Sequence, residues 1–399
     1  MSTDPILIAG GGIGGVAAAL AFSQKGYRVR LFEQASEFGE VGAGIQLGPN
    51  VFKMFKVLGL TDAISDLAVF PDALVMRDGP SGGEITRIPV NTPGFREKFE
   101  FPYAVIYRPD LHKILVDACR DIPEIELLLG ENVTTHRETS DGVIAVTEGG
   151  DEHHGSGLLG ADGLWSRVRE TIVGDGKPRV SGHIAYRAVL PIDEVPEHLR
   201  ANTVTLWAGP KTHLVQYPLH RGEIMNIVAV FHSDRYEEGW NVFGETEELN
   251  QRFAGQHPDV LTLLNRIESW RMWVLCDREP VKNWVDGRVG LIGDAAHPML
   301  QYLAQGACMA IEDAVCLATR LERRGGDFAQ ALLDYQADRY LRTARVQLTA
   351  RFYGDIYHAG GPTAELRDMM LKARTPEQGQ AGVAWLYGGV DESGGQLLV

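Results

Sequence analysis

The sequence predicts an α/β protein in which an antiparallel sheet interrupts a domain built on a parallel sheet. An apolar run, a glycine turn and a helix open the chain over residues 6–21. Short alternating strands follow from about residue 182 to 280, and a buried, parallel-type strand returns at 289–292. These patterns divide the 399 residues into a first domain part (1–180), an inserted substrate-binding sheet (181–280), a return segment (281–325) and C-terminal helices with a tail (326–399).

The opening segment has the pattern of a dinucleotide site. Ile6–Ala9 is an apolar run typical of a central parallel strand. Glycines with the G-x-G-x-x-G spacing follow, and they allow a tight turn, close approach to a pyrophosphate and close packing of helix on strand. Gly10, Gly12 and Gly15 have this spacing, and Gly14 lies in the same turn. A second strand, 28–32, ends at Glu33, about 20 residues past the turn, where a carboxylate can accept both ribose hydroxyls. The first domain is therefore predicted to be Rossmann-like.

Alternating periodicities place the later elements. The first part continues with helices near 51–58 and 108–120 and strands near 125–129 and 143–146. The inserted sheet is predicted from strands at 185–190, 204–207, 214–219 and 224–231. Helices at about 309–323 and 328–353 follow the returning strand, and the Gly-rich tail 388–399 is expected to be poorly ordered at its end.

Composition excludes several classes of protein. A net charge of −15 without a run of basic residues disfavours binding to nucleic acid or to an anionic membrane. The four cysteines form no CxxC pair, so the pattern indicates neither a zinc site nor a disulfide framework. No apolar stretch approaches the roughly 18 residues of a membrane span. A strand that begins near residue 5 leaves no room for a signal peptide, so we expect a cytoplasmic protein. The sequence leaves a homodimer open.

Two further motifs carry a family resemblance. Residues 160–169 read Gly-Ala-Asp-Gly-Leu-Trp-Ser-Arg-Val-Arg, and residues 293–298 read Gly-Asp-Ala-Ala-His-Pro. With the glycine turn and Glu33, and in this order, they resemble the motif set of the single-component (class A) FAD-dependent aromatic hydroxylases over nearly the whole chain. The resemblance implies a glutathione-reductase type of FAD-binding domain and non-covalent FAD. It also implies NADH or NADPH as a transient co-substrate, with NADH favoured, and O2 and a small aromatic acid as the other reactants.

The resemblance also implies which residues contact the cofactor. Asp294 would face the ribitol or pyrophosphate, Arg108 the pyrophosphate, and Asp162 the region between the ribose and the nicotinamide approach. The full implied set is Gly10, Gly12, Gly14, Gly15, Glu33, Arg108, Val133, Asp162, Asp294, Pro298, Gln305, Gly306 and Ala307. The residues alone leave plainer roles open: a helix N-cap for Asp294, a turn for Asp162 and a surface ion pair for Arg108.

Three residues are predicted to act on the substrate. His213 and Tyr217 lie four apart on a predicted strand and so share a face. A histidine can accept a proton from a phenol and thereby activate its ring, and Tyr217 can donate to or relay from the same oxygen. Gln301 follows the 293–298 motif, and its amide can both donate and accept. An ordinary core histidine and an exposed loop glutamine stay open as alternatives. No metal is expected at this site.

The substrate is predicted from segments similar to the family branch that acts on small aromatic acids. These segments are 182–187, 207–210, 213–218 and 298–310. They imply hydroxylation of 3-hydroxybenzoate para to its hydroxyl, which gives 2,5-dihydroxybenzoate. Tyr107, before Arg108, departs from the pattern, because many relatives carry histidine there. Three alternatives stay open: a decarboxylating hydroxylase of salicylate or 6-hydroxynicotinate, a flavin oxidase, and an FAD-binding sensor module.

Overall fold

A six-stranded, mainly parallel sheet carries the amino-terminal glycine turn. The structure, a computed structural model, describes residues 4–39, 43–233 and 242–397. Only the edge strand Val285–Asp286 runs antiparallel to its neighbour. Across the sheet the strands are β18 (Val285–Asp286), β19 (Val289–Leu291), β11 (Gly157–Gly160), β1 (Ile6–Ala9), β2 (Val29–Glu33) and β7 (Ile125–Leu129). Every residue of β1 is buried, as expected of a parallel strand covered on both faces.

Two smaller antiparallel sheets complete the first domain. A three-stranded sheet packs beside β11 and consists of β8 (Val133–Glu138), β9 (Val143–Thr147) and β10 (Glu152–Gly155). A two-stranded ribbon lies between the two main sheets and consists of β3 (Gly44–Leu47) and β6 (Ala104–Tyr107).

The inserted sheet has eight strands and extends beyond the predicted 181–280 segment. Its order is β16 (Val242–Gly244), β17 (Trp270–Asp277), β12 (Arg179–Pro191), β15 (Ile224–His232), β14 (Thr212–Leu219), β13 (Thr203–Gly209), β4 (Ala73–Asp78) and β5 (Glu84–Pro89). The strands β4 and β5 come from the first part of the chain, and β4 pairs with β13 in parallel. The sequence pattern missed them because β5 is a half-exposed edge strand with weak apolar alternation.

Helices cover the sheets and connect them. Those of the first part are α1 (Ile13–Gln24), α2 (Pro49–Leu58), α3 (Thr61–Leu67), α4 (Pro93–Phe99), α5 (Arg108–Arg120) and α6 (Arg167–Ile172). The inserted segment adds α7 (Thr246–Arg252) and α8 (Pro258–Leu264). After the returning strand come α9 (Gly306–Arg323), α10 (Phe328–Tyr357), α11 (Pro362–Lys372), α12 (Pro376–Gly382) and α13 (Ala384–Tyr387). In the part of the chain that the structure describes, no helix is both long and apolar enough to cross a bilayer.

The C-terminal tail is ordered by packing as far as residue 397. Val390 is buried and lies opposite Gln396 in an antiparallel bridge, in which the Leu397 N–H donates to the Gly389 carbonyl and the Asp391 N–H to the Gly395 carbonyl, both at 3.0 Å. Gly394 has a φ of +73° and lies so close to α9 that an added Cβ would be 2.7 Å from the Glu312 carbonyl oxygen. Glycine therefore lets this segment approach α9 closely. The end of the tail, for which poor order is predicted, lies at 398–399, outside the described residues.

Candidate active site

The four glycines that are predicted to contact the cofactor have different structural roles. Gly10 has a φ of +111°, and an added Cβ would lie 2.4 Å from the Ala161 carbonyl oxygen. At Gly15 a Cβ would lie 2.0 Å from the Gly10 carbonyl oxygen, so both positions require glycine. Gly14 lets α1 pack against α9. Gly12, the N-cap of α1, has no protein atom within 4 Å of its added Cβ, so it faces open space at a helix N-terminus that suits a phosphate.

The Glu33 carboxylate faces the glycine turn and also stabilises it by a hydrogen bond. One carboxylate oxygen accepts a hydrogen bond from the Gly11 N–H at 2.8 Å, and the other accepts from the Ala35 N–H at 2.9 Å. A carboxylate has about four acceptor positions, so it can still receive ribose hydroxyls. Val133, the first residue of β8, lies close to this corner, since the Glu131 N–H donates to the Glu33 carbonyl at 2.9 Å.

Asp294 presents an unbonded carboxylate at the opposite end of the proposed cofactor site. It is exposed within the otherwise buried run 291–298, and among the described residues its side chain makes no hydrogen bond. Protein surrounds it closely enough that burial raises its pKa, while His297 and Arg108 act in the opposite direction. Gly306, at the start of α9, lies so near that an added Cβ would be 3.9 Å from the Asp294 Oδ1. Asp294, Arg108 and the N-terminus of α9 therefore converge on one polar space.

Hydrogen bonds from the protein interior stabilise the loop between the 293–298 motif and α9. The buried Gln305 accepts a hydrogen bond from the Asn50 side chain at 2.9 Å, so its amide points into the protein. The Pro298 carbonyl accepts from the Gln347 side chain at 3.0 Å. Ala307 lies in the first turn of α9 and is only partly buried. These three residues therefore shape the backbone beside Asp294, and their contact with the cofactor stays a prediction.

The Asp162 carboxylate is engaged locally. Its Oδ1 accepts from the Ser166 hydroxyl at 2.5 Å, and its Oδ2 accepts from the N–H groups of Arg167 at 2.8 Å and Val168 at 3.2 Å. It thus caps α6, and burial outweighs these bonds and raises its pKa. The geometry supports the turn-and-cap role, while the cofactor contact implied by the resemblance stays a prediction.

Arg169 joins the two motifs, a role that the sequence pattern does not predict. Its guanidinium is fully buried and donates to the carbonyls of Ala295 at 2.9 Å and Ala296 at 2.6 Å. The same side chain pairs with Asp175 at 2.7 Å. An arginine inside the 160–169 motif was the available signal, because a guanidinium can bind a carboxylate and backbone carbonyls at once.

A buried ion network supports the 293–298 loop from α9 and α10. Asp313 accepts from His297 at 2.6 Å and from Arg339 at 2.7 Å. Glu312 pairs with Arg339 at 2.5 Å and with Arg342 at 2.7 Å. Burial alone would raise the pKa of Asp313, but His297 and Arg339 outweigh it and hold that pKa at about 2. The charges are therefore paired, as buried charges must be.

One face of the eight-stranded sheet carries both predicted catalytic residues of β14. Residues paired across strands and residues two apart on one strand share a face. Three successive rows of this face, running across β14, β15 and β12, are His213–Val230–Ala185, Val215–Val228–Arg187 and Tyr217–Asn226–Val189. The face therefore has polar groups around a central apolar patch.

His213 is buried at one side of that patch. Its Nδ1 lies 2.7 Å from the Nε2 of His358, while its Nε2 makes no hydrogen bond among the described residues. Burial, with a smaller contribution from His183, lowers the pKa of His213 to about 3. The ring is therefore neutral at pH 7, so one of its nitrogens is an acceptor.

Tyr217 lies at the other side and has its own partners. Its hydroxyl hydrogen-bonds to Gln46, and it contacts β3 so closely that a Cβ added at Gly44 would be 2.5 Å from the phenolic oxygen. Four strand residues span about 13 Å. This separation favours contacts of His213 and Tyr217 at opposite ends of a ring-sized ligand over contacts with one shared phenolic oxygen.

Gln301 hydrogen-bonds to Arg187, a cation that the sequence did not predict as part of the site. It begins the short 3₁₀ turn Gln301–Leu303, and its amide oxygen accepts from the Arg187 guanidinium. That guanidinium lies 5.1 Å from the Trp273 ring centre, and no described Asp or Glu pairs with it. Burial, opposed by Tyr217 and assisted by Arg108, lowers the pKa of Arg187 to about 10, so it stays cationic at pH 7. In the sequence, the available signal was an arginine two residues after the apolar Ala185 on a predicted strand, because residues two apart on a strand share a face.

Comparisons with known proteins agree with this architecture. Residues 3–350 match the family described as "FAD binding domain". "3-Hydroxybenzoate 6-hydroxylase 1" of Aquipseudomonas alcaligenes is 46% identical over 384 residues, with 96% of this chain and 97% of that protein covered. The protein named "3-hydroxybenzoate 6-hydroxylase" in Polaromonas naphthalenivorans is 45% identical, with 96% of each covered. The chain belongs to the FAD-dependent aromatic hydroxylases.

Solved structures support the same assignment for this flavoprotein monooxygenase. A salicylate hydroxylase in complex with substrate superposes with a TM-score of 0.83 at 26% identity and full coverage of both chains. HpxO of Klebsiella pneumoniae, solved with FAD and uric acid, gives a TM-score of 0.85 at 27% identity, with 96% of each chain covered. The predicted fold class and cofactor are therefore confirmed.

Proposed function

We propose that this hydroxylase acts on 3-hydroxybenzoate and introduces oxygen para to its hydroxyl, with NADH and O2 as co-substrates. The names of the relatives at 45–46% identity support this substrate. The product is 2,5-dihydroxybenzoate, with the carboxylate retained. The proposal places the enzyme in the cytoplasm, where NADH is available. A homodimer stays a prediction.

The observation that carries the proposal is the pair of polar groups on either side of the apolar patch. Arg187, hydrogen-bonded to Gln301, offers a cation without a carboxylate partner among the described residues. His213 offers a neutral imidazole one row away along the sheet. Val215 and Val228 form the surface between them. A ring with a carboxylate at one position and a hydroxyl at another fits this distribution of charge.

The chain holds the cofactor and the substrate by different residues. The open space at Gly12, the Glu33 carboxylate and the unbonded Asp294 carboxylate fit the phosphates, ribose and ribitol of FAD. FAD, when bound, accepts hydride from NADH and activates O2.

On the substrate, Arg187 with Gln301 binds the carboxylate, and His213 Nε2 accepts a hydrogen bond from the hydroxyl and takes its proton as the ring is attacked. The phenolate character that develops in that step raises the electron density at the ortho and para carbons. General-base assistance of this kind contributes about 10²–10⁴ in rate. Tyr217 contacts the ring from the opposite side and limits its rotation.

The test is a comparison of 3-hydroxybenzoate with 3-hydroxybenzyl alcohol, which lacks the carboxylate, in the wild type and in Arg187→Met. We expect Arg187→Met to lower kcat/KM for the acid by about 10- to 150-fold, because a hydrogen bond to a charged group is worth about 1.5–3 kcal/mol. Activity on the alcohol should change little. Product is identified by chromatography against 2,5-dihydroxybenzoate.

The matched control is Arg345→Met, which removes an exposed arginine stacked 4.0 Å from the Trp385 ring centre. It should leave both substrates unaffected. Equal losses on the acid and the alcohol in Arg187→Met would refute carboxylate binding by this residue. Release of CO2, or no product from 3-hydroxybenzoate in the wild type, would refute the proposed reaction and favour the decarboxylating alternative.

A further inference from the structure

Three histidines form a cluster next to His213 that the proposed reaction does not use. His183 on β12 pairs directly with His232 on β15, and His358 follows the last turn of α10. One nitrogen from each ring lies within 4.8 Å of one nitrogen from each of the other two. The cluster occupies the row of the sheet face that follows His213. Its members are far apart in the sequence, and only the fold brings them together.

The geometry of the cluster suits a tetrahedral cation. Zn–N bonds of about 2.0–2.1 Å place two tetrahedral ligands about 3.4 Å apart. The Nε2 atoms of His183 and His232 are 2.7 Å apart, and all three ligand atoms lie within 4.8 Å, so small ring rotations reach the required spacing. Three imidazoles and one open position are a donor set that zinc accepts.

The surroundings of the three rings favour ligation. Tyr302 places its hydroxyl 2.5 Å from the His183 Nδ1, which orients that ring and leaves its Nε2 toward the cluster. The Nδ1 of His358 is buried and has no hydrogen-bond partner among the described residues. Burial first, then the neighbouring imidazole of His232, lowers the pKa of His183 to about 4, and burial also lowers the pKa of His232 and His358. The neutral rings have the lone pairs that a metal needs.

We propose that His183, His232 and His358 bind Zn²⁺ and that the bound ion inhibits hydroxylation by fixing the tautomer of His213. With its Nδ1 on the metal, a neutral His358 carries its proton on Nε2. That N–H donates to the His213 Nδ1, 2.7 Å away. His213 then holds its own proton on Nε2 and cannot accept another one there from the substrate. The inhibition rests on the proposed function of His213, whereas the binding of zinc does not.

The binding test is equilibrium dialysis of the FAD-loaded enzyme against Zn²⁺, with zinc X-ray absorption to report the nitrogen ligands. We expect one ion per chain in the wild type and a dissociation constant at least about 100-fold higher in His232→Gln. His154→Gln, which removes an exposed histidine elsewhere, is the control and should bind like the wild type. Unchanged affinity in His232→Gln, or no stoichiometric binding in the wild type, would overturn the zinc site.

The second arm measures product formed per NADH oxidised with 3-hydroxybenzoate, in the presence of saturating Zn²⁺ or of a chelator. Zinc should lower this ratio several-fold in the wild type and in His154→Gln. In His232→Gln the ratio with zinc should equal the zinc-free ratio of the same variant. If zinc binds but the ratio is unchanged, the coupling to His213 is refuted. If the metal-free enzyme forms no product, the proposed function fails, while the dialysis result still decides the zinc site.

Discussion

The buried ion network behind the proposed cofactor site makes a strong prediction about Glu312. This carboxylate is inaccessible to solvent and pairs with Arg339 at 2.5 Å and Arg342 at 2.7 Å. It also accepts a hydrogen bond from Asn50 at 2.7 Å, and Asn50 in turn binds Gln305 beside Asp294. Glu312→Gln keeps the shape but removes the charge and turns an amide NH2 toward guanidinium donors. Arg339 would then pair only with Asp313, and Arg342 would keep no carboxylate partner among the described residues.

The expected loss of stability follows from the ion pairs that Glu312→Gln removes. Breaking a buried ion pair by neutralising one partner costs about 3–5 kcal/mol. For a chain of 399 residues the unfolding entropy is about 0.8 kcal/mol per degree, so the melting temperature should fall by about 4–6 °C. Because Asn50 links the network to Gln305, FAD retention should weaken as well.

The assay is differential scanning calorimetry of the FAD-loaded enzyme at fixed free FAD. The control is Glu322→Gln, on the same helix α9, whose carboxylate is 52% exposed and pairs with Lys25 at the surface. Surface pairs contribute about 0–1 kcal/mol, so this variant should melt within about 1 °C of the wild type. A Glu312→Gln variant that melts together with Glu322→Gln would refute the argument.

Two further predictions concern the glycine turn and the acid limb of stability. Gly12→Ala should leave the melting temperature of FAD-stripped protein unchanged, because no protein atom lies within 4 Å of the added Cβ. It should lower FAD affinity at least about 10-fold, since the methyl group enters the space for the pyrophosphate. Fluorescence titration with FAD checks this, with Gly15→Ala as the contrasting case that should destabilise the stripped protein itself; full FAD affinity in Gly12→Ala would contradict it. Asp313 has a folded-state pKa of about 2, below its ordinary value near 4, so its contribution to stability is present above pH 4 and is lost as the pH falls toward 2. Urea unfolding should therefore show a flatter stability profile between pH 4 and pH 2 in Asp313→Asn than in the wild type, and parallel profiles would contradict the assignment.

The part of the fold that the sequence predicts is the part encoded by local pattern. The fully buried β1, the glycine turn and Glu33 lie within 28 residues, and the structure arranges them as expected. The strand β4 escaped prediction because its partner β13 lies more than 100 residues away, and β5, which pairs with β4, is a half-exposed edge strand with weak apolar alternation.

The candidate site shows the same division. His213 and Tyr217 lie on one predicted strand, and the structure places both on the same face of the eight-stranded sheet as Arg187. Arg187 was missed because its partner Gln301 is 114 residues away, and His358 because it is 145 residues from His213. Such contacts depend on tertiary packing, which a single sequence does not display.

The strand order of the main sheet has a consequence for biosynthesis. The first strand made, β1, needs β11 at one edge, and β11 needs β19 at residues 289–291. The helix that packs on α1 ends only at Arg323. A ribosome must therefore release most of the chain before the pyrophosphate cradle can close, and non-local pairing of this kind is slow. Flavin capture is thus a late event on this polypeptide, and a nascent chain shorter than about 320 residues would expose apolar β1 and α1 to chaperones instead of to the cofactor.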